Sequence, residues 1–216
     1  MPRTLVVLLS IIAVILIAGA GLFVIAAPNV VPDSVRFWKD DEYVYNGGFY
    51  DPPREAHELI NAVDQNGDPF TFSQFEDKVI LVYFGYINCP DACPATLAEW
   101  REVKAELGED ADDVVFVMVT VDPERDTPDR LKGWLEFWDP AFYGVSMSPE
   151  DTETLTQQWG ISVTKEESTS ASGYLVTHDV STYVIGPDSQ LHLTYPLGFD
   201  PFDMADDIRH VRDVDE

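Results

Sequence analysis

Cys89 and Cys93 are the two cysteines of this 216-residue chain, set three residues apart in YFGYINCPDACPATLAEW (83–100) and each followed by proline. A thiolate attacks disulfides or binds a soft metal. The pair could therefore be inert core, a structural disulfide, a redox dithiol or half of a metal site. Core packing accounts poorly for two cysteines flanking a Pro-Asp-Ala turn. A disulfide between them would close so small a loop that it removes little entropy from the unfolded chain. Of the two readings that remain, a Cys-x-x-Cys redox motif has two intervening residues, whereas the wider loop here can turn both sulfurs toward one ion. Structural zinc takes four protein ligands, so two thiolates suit a copper site of lower coordination, which needs at least one more ligand.

The elements that must position these sulfurs follow from the pattern of apolar residues. DKVILVYFGY (77–86) and VVFVMVTV (114–121) are continuous β-rich apolar runs, expected as central strands covered on both faces. PATLAEWREVKAELG (94–108) between them reads as a helix, starting at Pro94 and stopping at Gly108, which makes a βαβ unit with parallel strands. DTPDRLKGWLEFW and SPEDTETLTQQWG open two further helices with Thr127-Pro128 and Ser148-Pro149, the second ending at Gly160. STYVIGPDSQLHLTYPL predicts an antiparallel hairpin about Pro187, Asp188 and Ser189, and DPFDMADDIRHVRDV a closing helix behind Asp200 and Pro201. This order predicts an α/β fold, a thioredoxin-like sandwich with a central mixed sheet.

In that layout residues 86–92 lie at the carboxyl end of a central strand, where α/β folds place their sites. The adjacent helix amino terminus is expected to lower the pKa of both cysteines. Four histidines could supply a further ligand: His57, His178, His192 and His210. His57 and His210 read as surface residues, and His192, alternating with Leu191 and Leu193, as a solvent-facing strand residue. His178, in YLVTHDVSTYVI, falls in the loop that faces the cysteine loop. Met118 and Met204 read as core, while Met147, in a loop, stays open as a soft ligand. TVDPERDTP (120–128) is either a plain turn into a helix or part of a partner surface to which Asp122 and Arg125 contribute.

Outside this domain, Leu5–Ala27 is an uncharged run of 23 residues. About 20 apolar residues cross a bilayer, and the run exceeds the apolar core of a cleaved signal peptide. It predicts an anchor over 1–27, a linker over 28–55 and a compact domain over 56–216. Arg3 precedes the span and Asp33, Asp40, Asp41 and Glu42 follow it, which places the domain on the extracytoplasmic face of the cell membrane. The chain carries 39 acidic against 13 basic residues, a net charge of −26. The acids are spread along the chain, as in a protein adapted to concentrated salt that screens their repulsion. Nucleic-acid binding is excluded as a function class, because it requires clustered Lys and Arg.

YFGYINCPDACPATLAEW, TVDPERDTP and YLVTHDVSTYVIGPDSQL, in that order, resemble the SCO/SenC family of membrane-anchored, thioredoxin-like copper-binding proteins. The resemblance covers roughly Ala56 to Val211. It implies copper ligands at Cys89, Cys93 and His178, carrying Cu(I), Cu(II) or both. It also implies a role in cytochrome c oxidase assembly: copper delivery to the dinuclear copper centre of subunit II, or, as a thiol-disulfide reductase, reduction of that centre's cysteines. The first role is that of a metallochaperone and no enzyme. The family's usual Asp-His-Ser reads Thr177-His178-Asp179 here, which bears on how the imidazole is oriented more than on the ligand itself.

Overall fold

The two apolar runs form the centre of the sheet. In the computed structural model, which describes residues 43–167 and 173–213, β2 (Val79–Gly85) and β3 (Val114–Thr120) are buried at all seven positions each. They pair in parallel from Val79 opposite Val114 to Gly85 opposite Thr120. Between them runs α1 (Ala92–Leu107), which begins two residues before the expected proline and so takes Cys93 into its first turn. Trp100 on α1 is fully buried, edge-on to Tyr83 and Phe142, and its indole N–H donates to the Thr182 hydroxyl at 3.0 Å. Truncating such a residue costs about 3–5 kcal/mol.

The prolines mark the later helices to the residue: α2 (Pro128–Trp138), α3 (Pro149–Gln158) and α4 (Pro201–Asp213). Ser148 caps α3 by accepting the Asp151 N–H, whereas Thr127 holds an extended cap backbone without a side-chain bond. Gly160 follows α3 at φ +71, a conformation that glycine adopts without strain. β4 (Tyr143–Val145) pairs in parallel with β3. The predicted hairpin is β7 (Thr182–Ile185) and β8 (Gln190–Tyr195), and β7 runs antiparallel to β2 with Tyr83 opposite Thr182. The sheet is therefore mixed and the fold thioredoxin-like, as expected.

Two features depart from the sequence reading. Residues 48–55, expected in the linker, form β1 (Gly48–Glu55), which pairs with β8 and completes a six-stranded sheet in the order β1-β8-β7-β2-β3-β4. Ahead of it the backbone N–H groups of Asn46 and Gly47, the Asn46 side chain and the Tyr195 hydroxyl all converge on the buried carboxylate of Asp207 in α4. The ordered domain thus starts before Ala56. Second, β5 (Val163–Glu167) and β6 (Tyr174–His178) form a separate two-stranded sheet in which Val163 lies opposite His178. Among the described residues no helix is long and apolar enough to cross a membrane; the expected span at Leu5–Ala27 lies outside them.

Candidate metal centre

Each half of the centre hangs from its own element. Cys89 sits in the loop leaving β2, half-buried, while Cys93 is fully buried in the first turn of α1. Neither is in a disulfide. The N–H of Cys93 donates to the Cys89 sulfur at 3.4 Å, so the free backbone donors at the helix start point at a sulfur, as helix termini favour. The Cys93 sulfur receives the Tyr83 hydroxyl at 3.2 Å and the Tyr86 N–H at 3.4 Å. Gly85 makes room for that phenol: a Cβ there would stand 2.4 Å from a ring carbon of Tyr83.

His178 ends β6 and brings Nε2 to 3.6 Å from the Cys93 sulfur. Its Nδ1 lies 2.6 Å from the Asp179 carbonyl oxygen. A carbonyl only accepts, so Nδ1 carries a proton and Nε2 is the ring nitrogen that faces the sulfurs. The imidazole is thereby oriented by the backbone of Asp179, while the Asp179 carboxylate accepts the Ser181 N–H and the Tyr183 hydroxyl. Tyr83 and Tyr86 pack edge-on to the imidazole, centroids 5.9 and 5.6 Å away.

Ligand atoms of Cys89, Cys93 and His178 all lie within 4.8 Å of one another. Two sulfurs bound at about 2.3 Å to one ion can be at most about 4.6 Å apart, so the cluster suits a single ion with small adjustment. Two sulfurs and one imidazole nitrogen make a soft set that selects Cu(I) or Cu(II) over hard cations and falls short of four-ligand structural zinc.

The sulfurs differ in acidity. The Cys89 thiol is held down to about 3, foremost by its hydrogen bond with Cys93 and further by His178 and the N–H groups of Cys93 and Asp91, against its partial burial. The Cys93 thiol is pushed up, first by burial and then by the neighbouring Cys89 thiolate. The expectation that the helix start lowers both pKa values therefore holds for Cys89 and fails for Cys93, which is desolvated.

The TVDPERDTP loop faces inward. Asp122 is fully buried, pairs with Arg125 and accepts the Tyr174 hydroxyl at 2.7 Å; Arg125 lies 3.6 Å above the Tyr174 ring and donates to the Tyr174 carbonyl. Asp126, which the sequence reading passed over, accepts the Thr120 hydroxyl at 2.7 Å and the N–H of Ile87 in the cysteine loop at 3.0 Å. One turn thus fastens the cysteine loop on one side and the strand that carries His178 on the other. Tyr83 and Tyr86 were also missed, although a phenol in an apolar central strand calls for a polar partner. His192 is buried against expectation, its Nε2 2.9 Å from Asp188. Met118, Met204 and Met147 all lie in the core.

A sequence profile described as SCO1/SenC matches residues 54–213. A Stutzerimonas stutzeri protein whose name attributes copper binding to it is 34% identical over 152 residues, 68% of this chain and 74% of that one. The structure of Bradyrhizobium japonicum ScoI with copper bound is 30% identical, with a TM-score of 0.67 over 73% of this chain and 99% of that one. Solution structures of apo Sco1 from Thermus thermophilus are 28% identical, with a TM-score of 0.68 over 79% and 99%.

Proposed function

The chain belongs to the SCO1/SenC family, and on that premise we propose that it is an anchored copper chaperone that carries one copper ion on Cys89, Cys93 and His178 and passes it to subunit II of cytochrome c oxidase. The observation that carries this reading is the meeting of two sulfurs and one imidazole nitrogen within 4.8 Å. Copper is the cargo. The half-buried Cys89 gives an incoming ligand a side from which to approach, and transfer proceeds by ligand exchange as partner thiolates replace these three donors in turn. The uncharged span Leu5–Ala27 would hold the domain at the extracytoplasmic face of the cell membrane, near such a partner.

A second reading has its own support in the unequal acidities of the pair. With Cys89 ionised and Cys93 protonated, the Cys89 thiolate can attack a target disulfide and form a mixed disulfide. Cys93 then closes the Cys89–Cys93 disulfide, and its proton goes to the departing target thiolate; the target gains the two electrons that the pair loses. Such a reductase would prepare the same oxidase cysteines. The test is to measure copper stoichiometry and coordination beside the rate at which the protein reduces an oxidised subunit II peptide. We expect one copper per chain with mixed sulfur and nitrogen coordination, lost in Cys89→Ser and Cys93→Ser because a hydroxyl is a poor ligand for a soft ion. Stoichiometric tight copper in Cys93→Ser would overturn the assignment.

A further inference from the structure

His178 rides on β6, and the β5–β6 ribbon stands outside the six-stranded sheet from which the cysteine loop emerges. A lone two-stranded ribbon is marginal in water. The position of the imidazole relative to the sulfurs therefore depends on where the ribbon is fastened to the body. One fastening is the Asp122, Arg125 and Tyr174 group described above. A deeper one is the Val176 N–H, two residues before His178, which donates to the Tyr86 hydroxyl at 3.2 Å, with both residues buried.

Tyr86 also reaches the other half of the site. Its backbone N–H is 3.4 Å from the Cys93 sulfur, and its ring lies edge-on to the imidazole at 5.6 Å. A single side chain thus touches the strand that carries the nitrogen ligand, the nitrogen ligand itself and the Cys89 side chain, while its backbone touches the buried sulfur. We propose that Tyr86 is a positioning residue whose hydroxyl holds β6 so that His178 Nε2 already faces both sulfurs before copper arrives, which sets the nitrogen share of binding and thus the preference between Cu(II) and Cu(I). The inference rests on the copper reading above.

Without the hydroxyl, the buried Val176 N–H loses this acceptor and β6 gains alternative positions, so ordering the imidazole becomes a cost of binding. The sulfurs keep their backbone supports in the loop leaving β2 and in α1, and Cys89 loses only its contact with the Tyr86 hydroxyl. Cu(I) is served by two thiolates, whereas Cu(II) leans on the nitrogen donor.

Tyr86→Phe removes the hydroxyl and keeps the ring. Metal-free full-length protein is titrated anaerobically with Cu(I) and with Cu(II), and the Cu(II) form is examined by absorption and electron paramagnetic resonance. Tyr195→Phe, which loses a buried hydroxyl bonded to Asp207, serves as the comparison for general destabilisation. In Tyr86→Phe we expect Cu(II) affinity to fall about tenfold and the nitrogen hyperfine pattern to become heterogeneous, while Cu(I) affinity changes less than about threefold. Tyr195→Phe should leave both affinities and the spectrum unchanged. Tyr86→Phe with wild-type Cu(II) affinity and spectrum overturns the inference alone, as does an equal loss for both ions. Wild-type protein that binds no copper overturns the copper reading and the inference with it.

Discussion

His178 Nε2 stands 3.6 Å from the Cys93 sulfur although 85 residues separate the two in the chain. Closing so long a loop is an entropic cost that folding meets before any ion binds. The three side chains are therefore gathered by the fold itself, within 4.8 Å of one another.

Replacing the imidazole should separate the two oxidation states. His178→Ala leaves both thiolates in place, so capture of Cu(I) should persist while Cu(II) affinity falls by about two orders of magnitude, in the range that lost ligand and outer-shell groups cause. Folding should be near normal. Cells carrying only this variant should fail to assemble the oxidase copper centre, whereas a pure reductase would tolerate the change; normal assembly would count against both the ligand and the chaperone role.

Much of this arrangement is legible in the sequence, and the parts that are not share a cause. β2, β3 and the proline-started helices carry strong signals because a strand buried on both faces is apolar throughout and a proline fits only the start of a helix. β1 and β5 have almost no buried face, so GFYDPPRE and VTKEE show no alternation to detect. That is why β1 reads as linker, while His178 reads as a loop residue because its short strand β6 pairs with the exposed β5 and not with the main sheet. The meeting of Cys89, Cys93 and His178 is anticipated by residue types and motif order. The inward turn of Asp122 and the role of Asp126 are not, because an acidic loop looks the same in sequence whether its carboxylates face water or backbone N–H groups.

The unequal cysteines should be visible in alkylation of the metal-free protein. With its pKa held near 3, Cys89 is ionised from mildly acidic to neutral pH, so its rate with iodoacetamide should stay flat between about pH 5 and 8. An ordinary thiol slows about tenfold per unit below its pKa of about 8.5. Cys93, buried and protonated, should remain unlabelled over the same range. Mass spectrometry of labelled peptides reads both, and a Cys89 rate that drops tenfold per unit through this window would contradict the hydrogen-bonded thiolate.

Asp126 offers a pH-dependent stability test. Burial raises its pKa above the usual carboxylate value, so the folded protein holds this proton more tightly than the unfolded chain. Its contribution is then most favourable below the unfolded value near 3.9 and is lost as pH rises through the folded one. Asp126→Asn keeps an acceptor for Thr120 and Ile87 without a charge, and should stay within about 1 kcal/mol of wild type at pH 7, gaining on it as pH rises from 4. Asp126→Ala leaves both donors unpaired and should lose about 2–3 kcal/mol. Chemical denaturation at several pH values decides; an Asn variant as damaged as the Ala one would show that the charge itself is required.

The acid excess predicts dependence on salt. Arg209 and Arg212 both pair with Asp110, Lys104 with Asp139 and Lys165 with Glu124, so these cations are already engaged while 39 carboxylates face 13 bases. Moving from molar to millimolar salt lengthens the Debye length from about 3 Å to 30 Å or more, and circular dichroism should report loss of structure along that titration. A fold unchanged across it would refute adaptation to concentrated salt.

The carboxylate of Asp207, which gathers Asn46, Gly47 and Tyr195, has a mechanical meaning. Any tug on the chain that enters the domain at Asn46 is first borne by that knot and by the body of α4. In the sheet, the ladders of β8 and β7 lie between β1 and β2, while α4 packs directly on α1, the helix that carries Cys93. The knot at Asp207 thus ties the entering strand to the same helix layer that holds the buried cysteine, so the start of the domain and its candidate site share one support.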